Sequence, residues 1–553
     1  MLACLWYNII MLSEKEVLEE NRDLTKEQAL RLAYMHMQLA EVMKEHYSTL
    51  CRRFFGPRSE KINPDQLTLF NEAEYVMDHP EEENQEPEKK GKKKKGDKNS
   101  RLRSVRTETE HIYPESTVCP ECGKAMQEVK PDTYEYLEYT PAQYTLHRFV
   151  VHNYTCHNCN EEKMNMTVYN GKDKLPPRLL DGSFVTPALI SNIVTNKFVL
   201  GVPFYRQAKD LKNRGIEISR QVMCTWANRV SDIYLYPIWD QMRKDIRECG
   251  VTQYDETKLN CLEEKKNGRE SASYAWLVMS GEFEEKQMAV YLYDATRKYG
   301  TVEKLIGEEY DGVMVSDGYG AYPSYKGTDK KAMCWAHPRR YLSDYLAGNK
   351  QLYSSYRKAS EKGKEEILDQ NPSFAEVMKL LNMMQKMFRY EEKYREAGYG
   401  PEEILEHRKE DMPEILESIR KQADLMESQF IPSGKVGECI TYLQNQWEPL
   451  TYFMKDGRVP LTNNLAEREG IKPLVMARRN FLFADTVNGA KQSMVWFSLI
   501  ISAVMNDLNP EKYLTYVLEE AARYPMTQET TERLLSYSKN LPENLKVKAT
   551  SRR

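Results

Sequence analysis

At 553 residues the chain exceeds what one hydrophobic core supports, so several domains are expected. Charged residues reach 29% and no run of ~18 apolar residues occurs, which excludes a helical membrane span. The net charge of −4 conceals an acidic block next to a basic one, which reads first as a solvated linker and second as a segment able to pair with phosphates.

Met1–Leu12 is apolar but short, with neither a basic flank nor a small-residue cleavage site, so it reads poorly as a signal peptide. A start at Met11 is the plainer alternative. Residues 14–51 are expected to form a helix, because Leu32, Met35, Leu39, Val42, Met43, Tyr47 and Leu50 recur at three- and four-residue steps. With the loop-like run that follows, this makes a first region, 1–77. Residues 78–106 carry Glu81, Glu82, Glu83, Glu86 and Glu88, then Lys89, Lys90, Lys92, Lys93, Lys94, Lys95, Lys98, Arg101, Arg103 and Arg106. Such a stretch cannot bury enough apolar surface to fold and reads as a disordered linker.

Residues 107–170 hold two Cys-x-x-Cys pairs, Cys119 with Cys122 and Cys156 with Cys159. Four thiolates satisfy a tetrahedral Zn2+ and leave no open position, so a structural zinc ribbon is expected rather than a catalytic zinc. The spacer between the pairs is longer than the usual ~15–20 residues, and alternating Tyr134, Tyr136, Leu146, Phe149 and Val151 suggest short strands within it. With no export signal, the remaining cysteines fit a reducing compartment, and a cytoplasmic, nucleoid-associated location is expected.

Over 171–245 three helices are expected, opened by Pro187, Pro203 and a capping Ser219, with Gly215 breaking the chain between the last two. The third bears Arg220 and Arg229 on polar faces. Two readings stay open: a DNA-binding helix-turn-helix, or a small helical bundle with a wet face.

From 246 the period changes. Val251–Leu259, Tyr274–Ser280 and Met288–Asp294 read as strands, Arg297–Gly307 as a helix and Gly312–Asp317 as a buried strand. This order opens a ribonuclease-H-like fold, here 246–337 and 461–525, with a helical insertion at 338–460 and a C-terminal tail at 526–553. The first and fourth strands would then be neighbours, bringing Asp255 and Asp317 together. Paired carboxylates repel unless a cation lies between them, and hard oxygen ligands suit magnesium or manganese. Glu467, on a helix capped by Thr462 or Asn463, supplies a third acid.

The chain resembles the insertion-sequence-66 family of transposases from about residue 50 to 520. The matching stretches are RRFFGPRSEK (52–61), the cysteine pairs, LPPR (175–178), VPFYRQ (202–207), DET (255–257) and SDGYGAY (316–322). They continue in CWAHPRRY (334–341), YLQNQWEPL (442–450), NNLAER (463–468) and RRNFLFADT (478–486). The resemblance implies Asp255, Asp317 and Glu467 as a DDE triad that cuts and joins DNA strands with two metal ions. Similar transposases carry a Cys-x-x-His pair after the second Asp, here Cys334 and His337, either acting at the site or packing beneath it. Thr462 departs from the family's usual Asp. Arg468, Lys472, Arg478 and Arg479 flank Glu467 as candidate phosphate contacts.

The expected partners are the element's terminal inverted repeats, target DNA, companion proteins of the same element, and a second protomer. The N-terminal helix has one apolar stripe that it cannot bury alone. A binding protein with a dead nuclease would lack a triad residue, yet all three are present. A junction resolvase would not explain the insertion, and a zinc-dependent scaffold would use only the first 160 residues.

Overall fold

The computed structural model describes residues 144–146, 154–155, 168–169, 175–268 and 272–547. The expected helix of 14–51, the charged linker and Cys119, Cys122, Cys156 and Cys159 lie outside the described residues. Contacts divide the chain into two units, one containing Leu179–Val547 and the other containing Pro87–Arg178. In the second, strands β1 (Tyr154–Thr155) and β2 (Val168–Tyr169) pair antiparallel.

In the larger unit the three expected helices form as α1 (Pro187–Phe198), α2 (Phe204–Asn213) and α3 (Arg220–Val230). Thr186 caps the first through its hydroxyl and Ser219 the third, each accepting an orphan backbone N–H of the opening turn. Gly215 takes φ +79°, a left-handed conformation that a side chain would oppose, and so ends α2. Helix α4 (Tyr236–Asp245) then leads into the sheet.

That sheet has five strands in the order β5-β4-β3-β6-β7: β3 (Val251–Lys258), β4 (Tyr274–Ser280), β5 (Ala289–Asp294), β6 (Val313–Ser316) and β7 (Lys331–Met333). β3, β4 and β5 form an antiparallel meander. β6 reaches the far side of β3 through helix α5 (Gly300–Ile306) and pairs with it in parallel, and β7 pairs in parallel with β6. The three-residue β7, which propensity does not mark, extends the sheet beyond the four expected strands.

Side-chain alternation divides β6 between two cores. Met314 joins a core with α1–α4 and helices α15 (Val487–Met505) and α16 (Pro510–Arg523). Val313 and Val315 face the opposite way, into a core made largely by helices between 336 and 454. Those include α6 (Ala336–Gly348), α10 (Lys435–Asn445) and, between them, α7 (Pro372–Glu396), α8 (Pro401–Asp411) and α9 (Pro413–Glu427). Arg408 is buried there at 1% exposure, which requires pairing. Its guanidinium grips Glu391 at 2.7 Å and donates to the Phe453 carbonyl.

The helices before β3 pack on the same core as the sheet. Trp496 Nε1 donates to Ala227 O of α3 at 3.1 Å, and the Phe198 and Phe497 rings lie 4.9 Å apart. Beyond 526 the chain stays folded: Leu534, Leu535 and Leu545 are buried, and the Tyr537 hydroxyl reaches Asp245.

Candidate active site

Parallel register sets the first two acids. Gln253 of β3 aligns with Val315 of β6, so Asp255, still paired to β4, and Asp317, just past the end of β6, stand level with each other two residues further on. Each carboxylate has one oxygen committed to a nearby backbone amide: Asp255 Oδ1 accepts from Glu256 N at 2.8 Å, and Asp317 Oδ1 from Tyr319 N at 3.0 Å. That locks their orientation and leaves a second oxygen on each.

Glu467 arrives by another route. Trp335 N donates to Leu461 O at 2.8 Å, anchoring the returning chain beside the end of β7. Asn463 Nδ2 donates to Tyr254 O of β3 at 2.6 Å, and Asn463 N donates to Cys334 Sγ at 3.2 Å. The turn carrying Glu467 is a wide π-type segment (Ala466–Ile471) that runs into helix α14 (Lys472–Phe481), following α11–α13, which are short turns and helices at Trp447–Leu450, Tyr452–Met454 and Asn464–Leu465. The expected cap therefore differs. Asn463 spends its side chain on β3, while the Thr462 hydroxyl accepts from Asn464 N at 3.4 Å.

The acids sense one another. Burial pushes Asp255 up to about 8, and the charges of Glu256, Glu467 and Asp317 add to the rise. Glu256 was not foreseen as a site residue. Burial raises its carboxyl against the pull of Tyr322 and Arg297. Arg297 Nε donates to Glu256 Oε1 at 2.8 Å, the Tyr322 hydroxyl donates to Oε2, and the guanidinium stacks 3.4 Å over the Tyr319 ring centroid. The signal available in the sequence was only the acid next to Asp255; Arg297 and Tyr322 lie 41 and 66 positions away.

Cys334 and His337 come to the same place. Cys334 is fully buried, and its Sγ, a ring nitrogen of His337 and a Glu467 oxygen lie within 4.8 Å of one another. Burial pushes the Cys334 thiol up to about 12. Arg340 meets Glu467 at 3.3 Å. Tyr442, from the insertion, lies where a Cβ on Gly318 would meet its ring at 2.7 Å.

Of the expected basic residues, Arg478 is half-buried, donates to Thr257 Oγ1 at 3.2 Å just past Asp255, and is lowered by burial and by Arg479. Arg468, Lys472 and Arg479 are exposed around it, whereas Arg220 and Arg229 are exposed on α3.

The sequence model of the Transposase IS66 family matches residues 182–492, more than half of the chain and the whole of this arrangement. The chain belongs to the IS66 transposase family. Membership makes it a DNA-binding, DNA-cleaving enzyme. A second match, to the zinc-finger binding domain of transposase IS66, covers residues 116–160, which contain both cysteine pairs, and supports a bound Zn2+. Two Sinorhizobium fredii relatives, both named only as uncharacterized proteins, are similar over most of their length. Protein y4jD is 25% identical over 77% of this IS66 chain and 79% of its own. Protein y4hP is 24% identical over 74% of this chain and 72% of its own. Among the described residues of this transposase no helix is long and apolar enough to cross a membrane.

Proposed function

We propose that this transposase cleaves DNA at the ends of its element and joins them to a target by a DDE mechanism, with Asp255, Asp317 and Glu467 as the acids. The observation that supports it most is that Asp255, pushed up to about 8 chiefly by burial, also feels the charges of Glu467 and Asp317, which reach it from the Glu467 turn and the end of β6. A buried acid under that repulsion fits a divalent cation, magnesium or manganese, held by the free oxygens of the three groups. Bound there, a pair of such ions would supply Lewis-acid stabilisation of the phosphate and a more acidic water.

The protein's own groups do the rest. Glu256, clamped by Arg297 and Tyr322, buttresses the strand end that presents Asp255. Arg478 and Arg479, with Arg468 and Lys472, line the approach with positive charge suited to phosphate oxygens. The meander, the parallel β6 and the interposed α5 support the ribonuclease-H-like reading of 246–337 and 461–525, with 338–460 inserted between them. We assign end recognition to 107–170, with zinc on Cys119, Cys122, Cys156 and Cys159, and to the α3 face bearing Arg220 and Arg229. Assembly into at least a dimer is assigned to 1–77.

Alanine at Asp255, Asp317 or Glu467 should each reduce magnesium-dependent cleavage of an end-bearing DNA by at least ~10³-fold, with gel-shift binding retained. Cleavage within tenfold of wild type by any one variant removes that residue from the triad.

A further inference from the structure

Beside the proposed acids lies a donor set of different chemistry. Cys334 follows β7 and His337 sits in the first turn of α6, where its amide donates back to Cys334 O at 3.4 Å. One turn therefore presents a sulfur and an imidazole together, and Glu467 closes the triangle from the other side of the insertion. The support beneath them is built into the backbone. Cys334 N donates to Ser316 O at 3.2 Å, and Asn463 N donates to the sulfur itself. That N–H fixes where the sulfur points, toward His337 and Glu467.

We infer that Cys334, His337 and Glu467 form a binding site for a single zinc ion, separate from the zinc finger upstream. Three atoms within 4.8 Å of one another share a point no more than about 2.8 Å from each, so closing to zinc bonds of ~2.0–2.3 Å takes roughly half an ångström of motion per ligand. Sulfur and imidazole select zinc over magnesium, which keeps to oxygen. Three protein ligands leave a fourth position for water, and the Tyr442 ring closes over the neighbouring Gly318. On binding, the thiol proton passes to solvent and one Glu467 oxygen goes to the zinc in place of Arg340, which leaves the other oxygen for the cation proposed between the three acids. The site stands whether or not Glu467 takes part in strand cleavage.

The test is zinc content of the full-length protein after dialysis against a weak chelator, for wild type, Cys334→Ser, His337→Gln and a Cys119→Ser/Cys122→Ser variant. Wild type should retain two zinc ions per chain, and the three variants one each. Co2+ added to the Cys119→Ser/Cys122→Ser variant should give one thiolate-to-cobalt absorption band, which His337→Gln in that background weakens at least tenfold in affinity. This second measurement carries the test if Cys334→Ser does not fold. Equal zinc in wild type and His337→Gln, loss of the second zinc during dialysis (an adventitious ion only), or no cobalt band would each overturn the site. Cleavage is not read in any arm, so failure of the triad and failure of this site are separable.

Discussion

Two of the three acids are held by strands and the third by a helix, and the two modes of support differ. Asp255 and Asp317 inherit their positions from the β3–β6 register, in which a slip of one residue would turn one of them to the other face and part the pair. Their neighbours are fixed by the same ladder. Glu467 begins 150 residues after Asp317 and has no ladder to fix it. It is tied to the sheet by side-chain and loop bonds: Asn463 to Tyr254 O, Asn463 N to Cys334 Sγ, and Trp335 N to Leu461 O. A strand-borne acid is therefore robust to single changes around it, whereas a helix-borne acid depends on a few cross-ties. The insertion can be long because those ties, rather than chain continuity, return Glu467 to the edge.

The sharpest way to probe this contrast is to change the ligand type at a strand-borne acid without moving it. Asp317→Cys keeps the backbone register but replaces oxygen by sulfur. Magnesium-dependent cleavage should fall at least ~10³-fold, and manganese should restore at least a tenth of wild-type activity, since manganese accepts softer ligands than magnesium. Equal losses in both metals would mean that Asp317 does not contact the ion.

A smaller effect is expected from cutting a cross-tie. Asn463→Ala removes the 2.6 Å bond to Tyr254 O and leaves a buried carbonyl without that donor, a loss of about 1–3 kcal/mol in stability. Misplacing a reacting group by about an ångström costs on the order of 10²-fold in rate, so cleavage should drop ~10–100-fold with end binding unchanged. The magnesium concentration for half-maximal rate should rise as well. A stability loss with normal rate and normal magnesium dependence would make Asn463 a packing residue only.

The same contrast marks what the sequence made legible. Runs rich in Val, Tyr and Trp placed β3, β4, β5 and β6 within a residue or two, and Tyr274–Ser280 coincides with its expected span. Strand order alone then predicted that β3 and β6 would be neighbours, as they are, and so that Asp255 and Asp317 would come together. The turn around Glu467 was less legible, because a wide π-type segment has no periodic signature and Asn463 reads as a cap when its partner lies 209 residues away. Lys331–Met333 is too short to alternate. The helices before β3 read as a separate region, since nothing local announces that Trp226 and Ala227 pack in the same core as Trp496. Cys334 and His337 were visible as a pair, and their meeting with Glu467 was not.

The last effect is read in stability alone and concerns the apo protein and the burial of its acids. Asp255 is raised to about 8 when folded, against an ordinary carboxylate near 4 in the unfolded chain. The folded state thus holds a proton that the unfolded state has already released. Its contribution to stability is full below about pH 4 and is lost as pH rises through about 8. Metal-free protein should melt at progressively lower temperature from pH 5 to pH 8.5, by ~2–4 °C for each kcal/mol lost. Asp255→Asn stays neutral throughout, faces the same Glu256, Asp317 and Glu467, and should show a shallower decline. Added magnesium should raise the melting temperature of wild type at pH 8.5 more than at pH 5, because only the ionised site binds it, and should do little for Asp255→Asn. Parallel melting curves for wild type and Asp255→Asn across that range would mean that Asp255 is ionised and solvated in the folded protein. The strand-borne acids would then need no cation to coexist.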